Sequence, residues 1–316
     1  MRQQRLLSVV LIWIAVLLSS SQAVAQLTSV KVGHSAFADE AVLYLARDLG
    51  IFRKYGIHIE LIYIPGGSVA MQALLGKSLD LSLAGGTQLV FAQLKGADLR
   101  MIGGLNNRLP YVLMAREGIT SAEQLRGKKV GISRFGSNTD FVVKLAATQL
   151  GLNPKRDIQV IQVGGQETRM VAMKTGAIDA TVLGPELVLV GRKFGFNPLL
   201  DFVAKGIEYQ HIGVAARTDY LKSQADVVRR FMRAYVESIH YYLGHRDEAV
   251  KKTLQLLKVD DRQIGEFGFD IRLKTLPADG KPTIKGIQLC LDDAAEDDPK
   301  AKTITAQSLI DLSFLP

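Results

Sequence analysis

Val32-Gly33-His34-Ser35-Ala36-Phe37 returns 98 residues later as Val130-Gly131-Ile132-Ser133-Arg134-Phe135. Leu49-Gly50-Ile51 is echoed by Leu150-Gly151-Leu152, 101 residues on. Gly66-Gly67 recurs as Gly164-Gly165, Leu79-Asp80 as Ile178-Asp179, and Tyr111–Arg116 (YVLMAR) as Ile212–Arg217 (IGVAAR). Echoes in one order at nearly constant spacing mark an internal duplication, which is read before anything else because it decides the architecture.

Each copy alternates strand and helix. In the first, Val30–Ser35 is a short β-rich run, and Glu40–Leu49 has helical periodicity closed by Gly50. Ile57–Ile64 is a second strand, halted by Pro65-Gly66-Gly67; Ser68–Leu75 is a helix opened by its own serine; Leu79–Ala84 and Gln88–Lys95 add a strand and a helix. The second copy gives strands Lys129–Ser133, Ile158–Val163 and Ala180–Leu183 and helices Thr139–Leu150, Glu167–Thr175 and Leu187–Lys193. Such alternation predicts an α/β protein with parallel sheets in two lobes. The YVLMAR and IGVAAR runs sit where the chain leaves the first lobe and returns. This places lobe I at 26–110 and 215–316 and lobe II at 111–214. Beyond the return, Ala225–Leu243 and Asp247–Leu257 read as amphipathic helices, the first capped by Ser223 and Asp226. Leu276–Lys285 reads as a loop, and Asp292–Lys302 as a charged, solvated stretch.

The first 25 residues read as an export signal. Arg2 and Arg5 precede an uncharged apolar run, Leu6–Leu18, and Ala23-Val24-Ala25 follows as a cleavage triplet. Cleavage after Ala25 leaves 291 residues starting at Gln26, two domains' worth, in a periplasm. Without Arg2 and Arg5 the balance is 37 basic to 31 acidic residues. That modest excess, scattered and not interleaved with aromatics, argues against nucleic acid. Cys290 is the sole cysteine, which excludes a disulfide framework and a cysteine-based metal site.

Ligands of open parallel sheets lie beyond the carboxyl ends of the strands, where helix N-termini gather. Those ends carry Ser35, Gly66-Gly67-Ser68 and Gly85-Gly86-Thr87 in the first copy. In the second they carry Ser133, Gly136-Ser137-Asn138-Thr139 and Gly164-Gly165. Taken singly these are turns and caps; as two facing sets they form a cleft. Gly131–Ser137 has the glycine spacing of a phosphate loop but lacks its lysine. Ser137 and Asp140 form a capping box instead, leaving other N–H groups for an anion or carbonyl. His34 either touches the ligand or is structural, and Glu186 either caps its own helix or receives a cationic group. Asp80 and Asp179 read as structural acids. The histidines show no metal spacing and no nucleophile elbow occurs, so no catalytic residue, metal or cofactor is expected.

The run Glu40–Ile59 (EAVLYLARDLGIFRKYGIHI), with Gly66-Gly67, Ala84-Gly85-Gly86, Gly127–Gly131 and Gly176–Ala180, resembles the sulfonate, taurine, nitrate and pyrimidine-precursor binding proteins of ABC importers. The resemblance implies a type II periplasmic binding fold with two crossover strands and no enzymatic activity. It also implies a monomer that takes a small anionic or zwitterionic solute and hands it to a permease driven by an ATPase. Ser35–Phe37, Gly67-Ser68, Gly86–Gln88, Ser133–Thr139 and Pro185-Glu186 fall at the family's ligand contacts. Two departures stand out. Leu183-Gly184 precede Pro185 where the sulfonate and taurine branch carries tryptophan, and the cysteine cluster of the enzyme branch is absent. A sensor feeding a membrane receptor, or an exported enzyme on the same fold, is the alternative.

Overall fold

The computed structural model describes residues 27–36 and 38–316; the expected signal segment and Phe37 lie outside them. The first repeat unit folds as β1 (Thr28–His34), α1 (Ala41–Asp48), β2 (Ile57–Tyr63), α2 (Gly67–Leu75), β3 (Leu81–Ala84) and α3 (Gly86–Leu94). After β4 (Leu99–Arg108) and β5 (Val112–Ala115), the unit recurs. It comprises β6 (Lys129–Ile132), α4 (Asn138–Gln149), β7 (Gln159–Gln162), α5 (Gln166–Lys174), β8 (Ala180–Leu183) and α6 (Pro185–Lys193). Then come β9 (Asn197–Asp201), β10 (Glu208–Arg217), α7 (Ala225–Gly244), α8 (Arg246–Leu257), α9 (Arg262–Thr275) and α10 (Ile284–Asp297).

Two five-stranded sheets result, ordered β2-β1-β3-β10-β4 and β7-β6-β8-β5-β9. They share one plan, and the echoed residues explain it. Gly33 and Gly131 hold equivalent places, and a Cβ on either would overlap Leu79 or Ile178, the residue before each echoed aspartate. Asp80 accepts the Lys31 N–H at 2.8 Å and Asp179 the Lys129 N–H at 2.9 Å, so each acid ties its strand to the neighbour. YVLMAR and IGVAAR are β5 and the end of β10, the fourth strand of each sheet.

That strand is the crossover, and it runs against the parallel strands of its lobe. β10 is antiparallel to β3 and β4, and β5 is antiparallel to β8 and β9. Each arrives from the opposite lobe and so enters its sheet in the reverse direction. The crossings run side by side: the Leu109 N–H donates to the Ile207 carbonyl and the Phe202 N–H to that of Tyr111, at 3.1 and 3.0 Å. β10 lies wholly in the first sheet, so the return precedes the expected residue 215.

The central strands β3 and β10 are buried on both faces, as strands covered by helices on each side must be; Ser82, Val214, Ala215 and Ala216 have no exposed surface. On α7, Val228, Phe231, Tyr235, Ile239 and Tyr242 recur at helical spacing and are fully buried. The segment expected to be solvated, Asp292–Lys302, begins inside α10, whose Ile287, Cys290, Leu291 and Ala294 pack inward. Among the described residues, no helix is long and apolar enough to cross a membrane.

Candidate functional site

The β-strand ends of both sheets meet at one cleft. From the first sheet's side it is lined by Ser35, Ala36, Gly67, Gly85 and Gln88; from the second by Ser133, Ser137, Asn138 and Thr139. The empty space, open side included, is about 540 Å³. First turns of α2, α3, α4 and α5 border it, and the leading N–H groups of a helix have no partner within the helix. Partial positive charge therefore converges on the cleft from both lobes.

The turn before α4 is held by its own hydroxyls. Ser133 Oγ donates to Ser137 Oγ at 2.9 Å, and Thr139 Oγ1 lies 3.0 Å from the first and 2.9 Å from the second. Thr139 Oγ1 also accepts the Ser133 N–H at 2.9 Å. The expected capping box is not formed. Ser137 occupies the N-cap position without a side-chain bond to the helix backbone, while Asp140 accepts the Gly136 N–H at 2.9 Å. Gln162 takes the Phe135 N–H at 2.8 Å. Two N–H groups expected to serve a ligand are thus used within the protein.

Asn138 joins the lobes. Its Nδ2 donates to the His211 carbonyl at 2.7 Å, and its Oδ1 accepts from the Tyr209 hydroxyl at 2.9 Å, both residues being on β10 of the first sheet. Gly85 faces it so closely that a Cβ would overlap the Asn138 amide. His211 presents Nδ1 to Asn138 and Nε2 to Asp39, and its ring meets the edge of Tyr111 at 5.0 Å.

Seven of the expected residues point elsewhere. Gly86 backs onto Cys290, and Thr87 bonds the Tyr209 hydroxyl at 2.7 Å beneath α10, so the first turn of α3 presents Gln88 and not Thr87 to the cleft. Ser68, Phe135 and Gly136 line an adjoining groove. Ser68 is not the cap of its helix, because Gly66, at φ 99°, holds that position. Pro185 sits buried at the first position of α6. Glu186 neither caps α6 nor faces the cleft: it forms a buried ion pair with Arg272 of α9. Arg272 also reaches Asp39 at 3.5 Å.

The family described as NMT1/THI5 like matches residues 38–249. The chain belongs to this family. It is 25% identical over 233 residues to the riboflavin-binding protein RibY of Chloroflexus aurantiacus, covering 72% of this chain and 65% of the relative. The fold matches a solved protein of Bordetella bronchiseptica RB50 at TM-score 0.80 and 20% identity, over 90% of this chain and 95% of that one. It also matches the alkanesulfonate-binding protein SsuA of Xanthomonas axonopodis pv. citri bound to MOPS, at TM-score 0.71 and 18% identity, over 91% and 96%.

In this NMT1/THI5-like chain the cleft also holds residues that sequence reasoning passed over: Tyr111, Gln166, Arg169, His211 and Ile212. Tyr111 and Ile212 open the two echoed crossover runs, so their position was the available signal. Burial pushes the Tyr111 hydroxyl above its ordinary pKa, which keeps it a neutral donor. Arg169 is 1% exposed, and burial lowers its pKa from the ordinary value. His34 is structural. Its Nδ1–H donates to the Ala36 carbonyl at 2.7 Å, its Nε2 accepts from the Tyr44 hydroxyl at 2.8 Å, and it does not border the cleft.

Proposed function

We propose that this chain is the periplasmic solute-binding component of an ABC importer, monomeric and not an enzyme, taking a small anionic or zwitterionic organic molecule between its lobes. One observation carries the reading. Two copies of the same βα unit face each other across a single cleft, each contributing strand-end hydroxyls, glycines and helix first turns. Such an arrangement favours the closed state when a solute contacts both halves. The two side-by-side crossings, 108–112 and 201–208, are the natural hinge. A permease with its ATPase would then recognise the closed form.

Binding without turnover fits the chemistry of the walls. The hydroxyls of Ser133, Ser137 and Thr139 hydrogen-bond one another, with no base among them. Cys290 is buried behind Gly86, and burial pushes its thiol up to about 12. The named relatives support a binding role, RibY for riboflavin and SsuA for alkanesulfonates, without choosing the solute here.

The test is a thermal-shift screen of sulfonates, nitrate, carboxylates and pyrimidines, followed by small-angle scattering with each compound that stabilises the protein. The expected result is a smaller radius of gyration at saturation. A stabilising compound that leaves the radius unchanged would overturn the hinged mechanism.

A further inference from the structure

The duplication makes each lobe a control for the other. Aligning Gly66-Gly67 with Gly164-Gly165, and Leu79-Asp80 with Ile178-Asp179, pairs Met71 with Arg169 and Ser82 with Thr181. In the first lobe Met71 is an apolar plug, 4% exposed, and the fully buried Ser82 hydroxyl has no hydrogen-bond partner. In the second lobe an arginine fills the same place. Arg169 Nε donates to Thr181 Oγ1 at 2.8 Å, Nη1 to the Gly164 carbonyl at 2.6 Å, and Nη2 to the Val182 carbonyl at 3.1 Å.

All three acceptors are neutral. Glu167 acts on Arg169 only through space, and no ion pair joins the guanidinium to a carboxylate among the described residues. A buried cation without a paired anion is costly, and buried charges are ordinarily paired. Met71 shows that the scaffold does not require an arginine at this position. Five N–H donors belong to a guanidinium, and three are used here. Arg169 borders the cleft beside Ser133, Thr139 and Gln166.

We infer that Arg169 supplies the fixed positive charge for the ligand's acid group, and that the solute is an oxyacid, carboxylate or sulfonate, seated charge-first on the second lobe. The inference rests on the cleft being the solute site and goes on to say which lobe reads the charge. The first lobe presents Ser35, Gly67 and Gln88, with His211 engaged by Asn138 and Asp39, and covers the remainder of the molecule; among the described residues lining the cleft, Arg169 is the one arginine or lysine.

The experiment uses the exported chain and two matched pairs of probes: propanesulfonate with propanesulfonamide, and butyrate with butyramide. Calorimetry compares wild type with Arg169→Met, which installs the sister lobe's residue, and Arg169→Lys, which keeps the charge without the planar fork. Wild type is expected to prefer one acid over its amide by roughly 100-fold, the scale of a desolvated charge pair. Arg169→Met should bring that preference below about threefold, and Arg169→Lys should restore part of it. Which acid is preferred separates sulfonate from carboxylate. Should Arg169→Met fail to fold, Arg169→Gln, which keeps hydrogen-bond donors without the charge, takes its place, and retention of the acid preference in that variant overturns the assignment equally. Retention of the preference in Arg169→Met overturns the assignment. Amides bound as tightly as acids by wild type also overturn it, while leaving the cleft as the solute site. If wild type binds no probe, acid or neutral, the assignment and the reading of the cleft fall together.

Discussion

His34 ends β1 with no exposed surface, bonded at both ring nitrogens, and burial lowers its pKa from 6.5 to about 4. The consequence is a pH dependence of known sign. Between those values the unfolded chain binds a proton that the folded chain refuses, so stability falls as pH drops from 6.5 towards 4 and is level above 6.5. A shift of this size corresponds to about 3 kcal/mol. His34→Gln can keep both hydrogen bonds without titrating, so it should lose about 3 kcal/mol less than wild type between pH 7.5 and 4. Equal losses in urea melts at the two pH values would show that His34 protonates freely in the fold. At this scale the sequence was least legible. Glu186 stood at a strand end like a ligand contact, and nothing nearby announced Arg272, 86 residues away, as its partner. Arg169 was readable only by comparing the repeats and asking why Met71 had changed.

Elements were more legible than their ends. β8 and the body of each repeat helix follow the periodicity of apolar residues, which local sequence encodes. N-caps were not legible, because a hydroxyl finds its best acceptor wherever packing places one; the glycine stop was, and Gly50 takes φ 76° just past the end of α1. Gln224, not Ser223, precedes α7, and Asp226 pairs with Arg230 at 2.9 Å instead of closing a box. β4 (LRMIGGLNNR) carries two glycines and two asparagines and becomes a strand because β10, arriving much later, pairs with it. α9 went unread for a similar reason. Its Gly265 weakens helical propensity but lets α9 press against Val250 and Leu254 of α8. The turn Ser133–Thr139 allows a test of element and site together. Removing the Thr139 hydroxyl leaves the buried Ser133 N–H without its acceptor, so Thr139→Ala should cost about 1–3 kcal/mol of stability and Thr139→Ser much less. Ser137→Ala, which breaks no backbone cap, should cost less than the roughly 1 kcal/mol of a typical N-cap. The double variant Ser137→Ala/Thr139→Ala should bind the solute about ten- to a hundredfold more weakly. Calorimetry giving wild-type affinity for that variant would remove this turn from the site.

At the scale of the whole molecule, the repeats foretold two like lobes, but not the strand that each lends the other. A duplicated sequence states what the copies share; the crossings are set by where the chain has to go next. One consequence of the crossing topology is the ion network beside the hinge. Arg272, on α9, is shared by Glu186 at the start of α6 and Asp39 in the loop after β1, so a carboxylate from each lobe meets one guanidinium. Burial alone would lower the pKa of Arg272, yet Glu186, with Tyr242 and Asp39, raises it above the ordinary value. Burial would likewise raise the pKa of Asp39, but hydrogen bonding from His211 and the charge of Arg272 hold it below the ordinary value. Removing one partner of a buried ion pair typically costs about 3–5 kcal/mol, because the other charge stays behind. Here the loss has a direction. Glu186→Gln leaves Arg272 bound to the first lobe alone, so the arrangement with the lobes together should suffer more than either lobe does. Glu186→Gln is therefore expected to melt about 5–10 °C lower than wild type. Its ligand-free form should show a larger radius of gyration in scattering. Replacing both members, as Glu186→Leu/Arg272→Met, should recover much of the melting temperature, since an apolar pair of similar volume avoids the stranded charge. It should not recover the compactness, if the ion pair is what draws the lobes together. A Glu186→Gln variant with wild-type melting and wild-type radius would show that the pair governs neither stability nor closure.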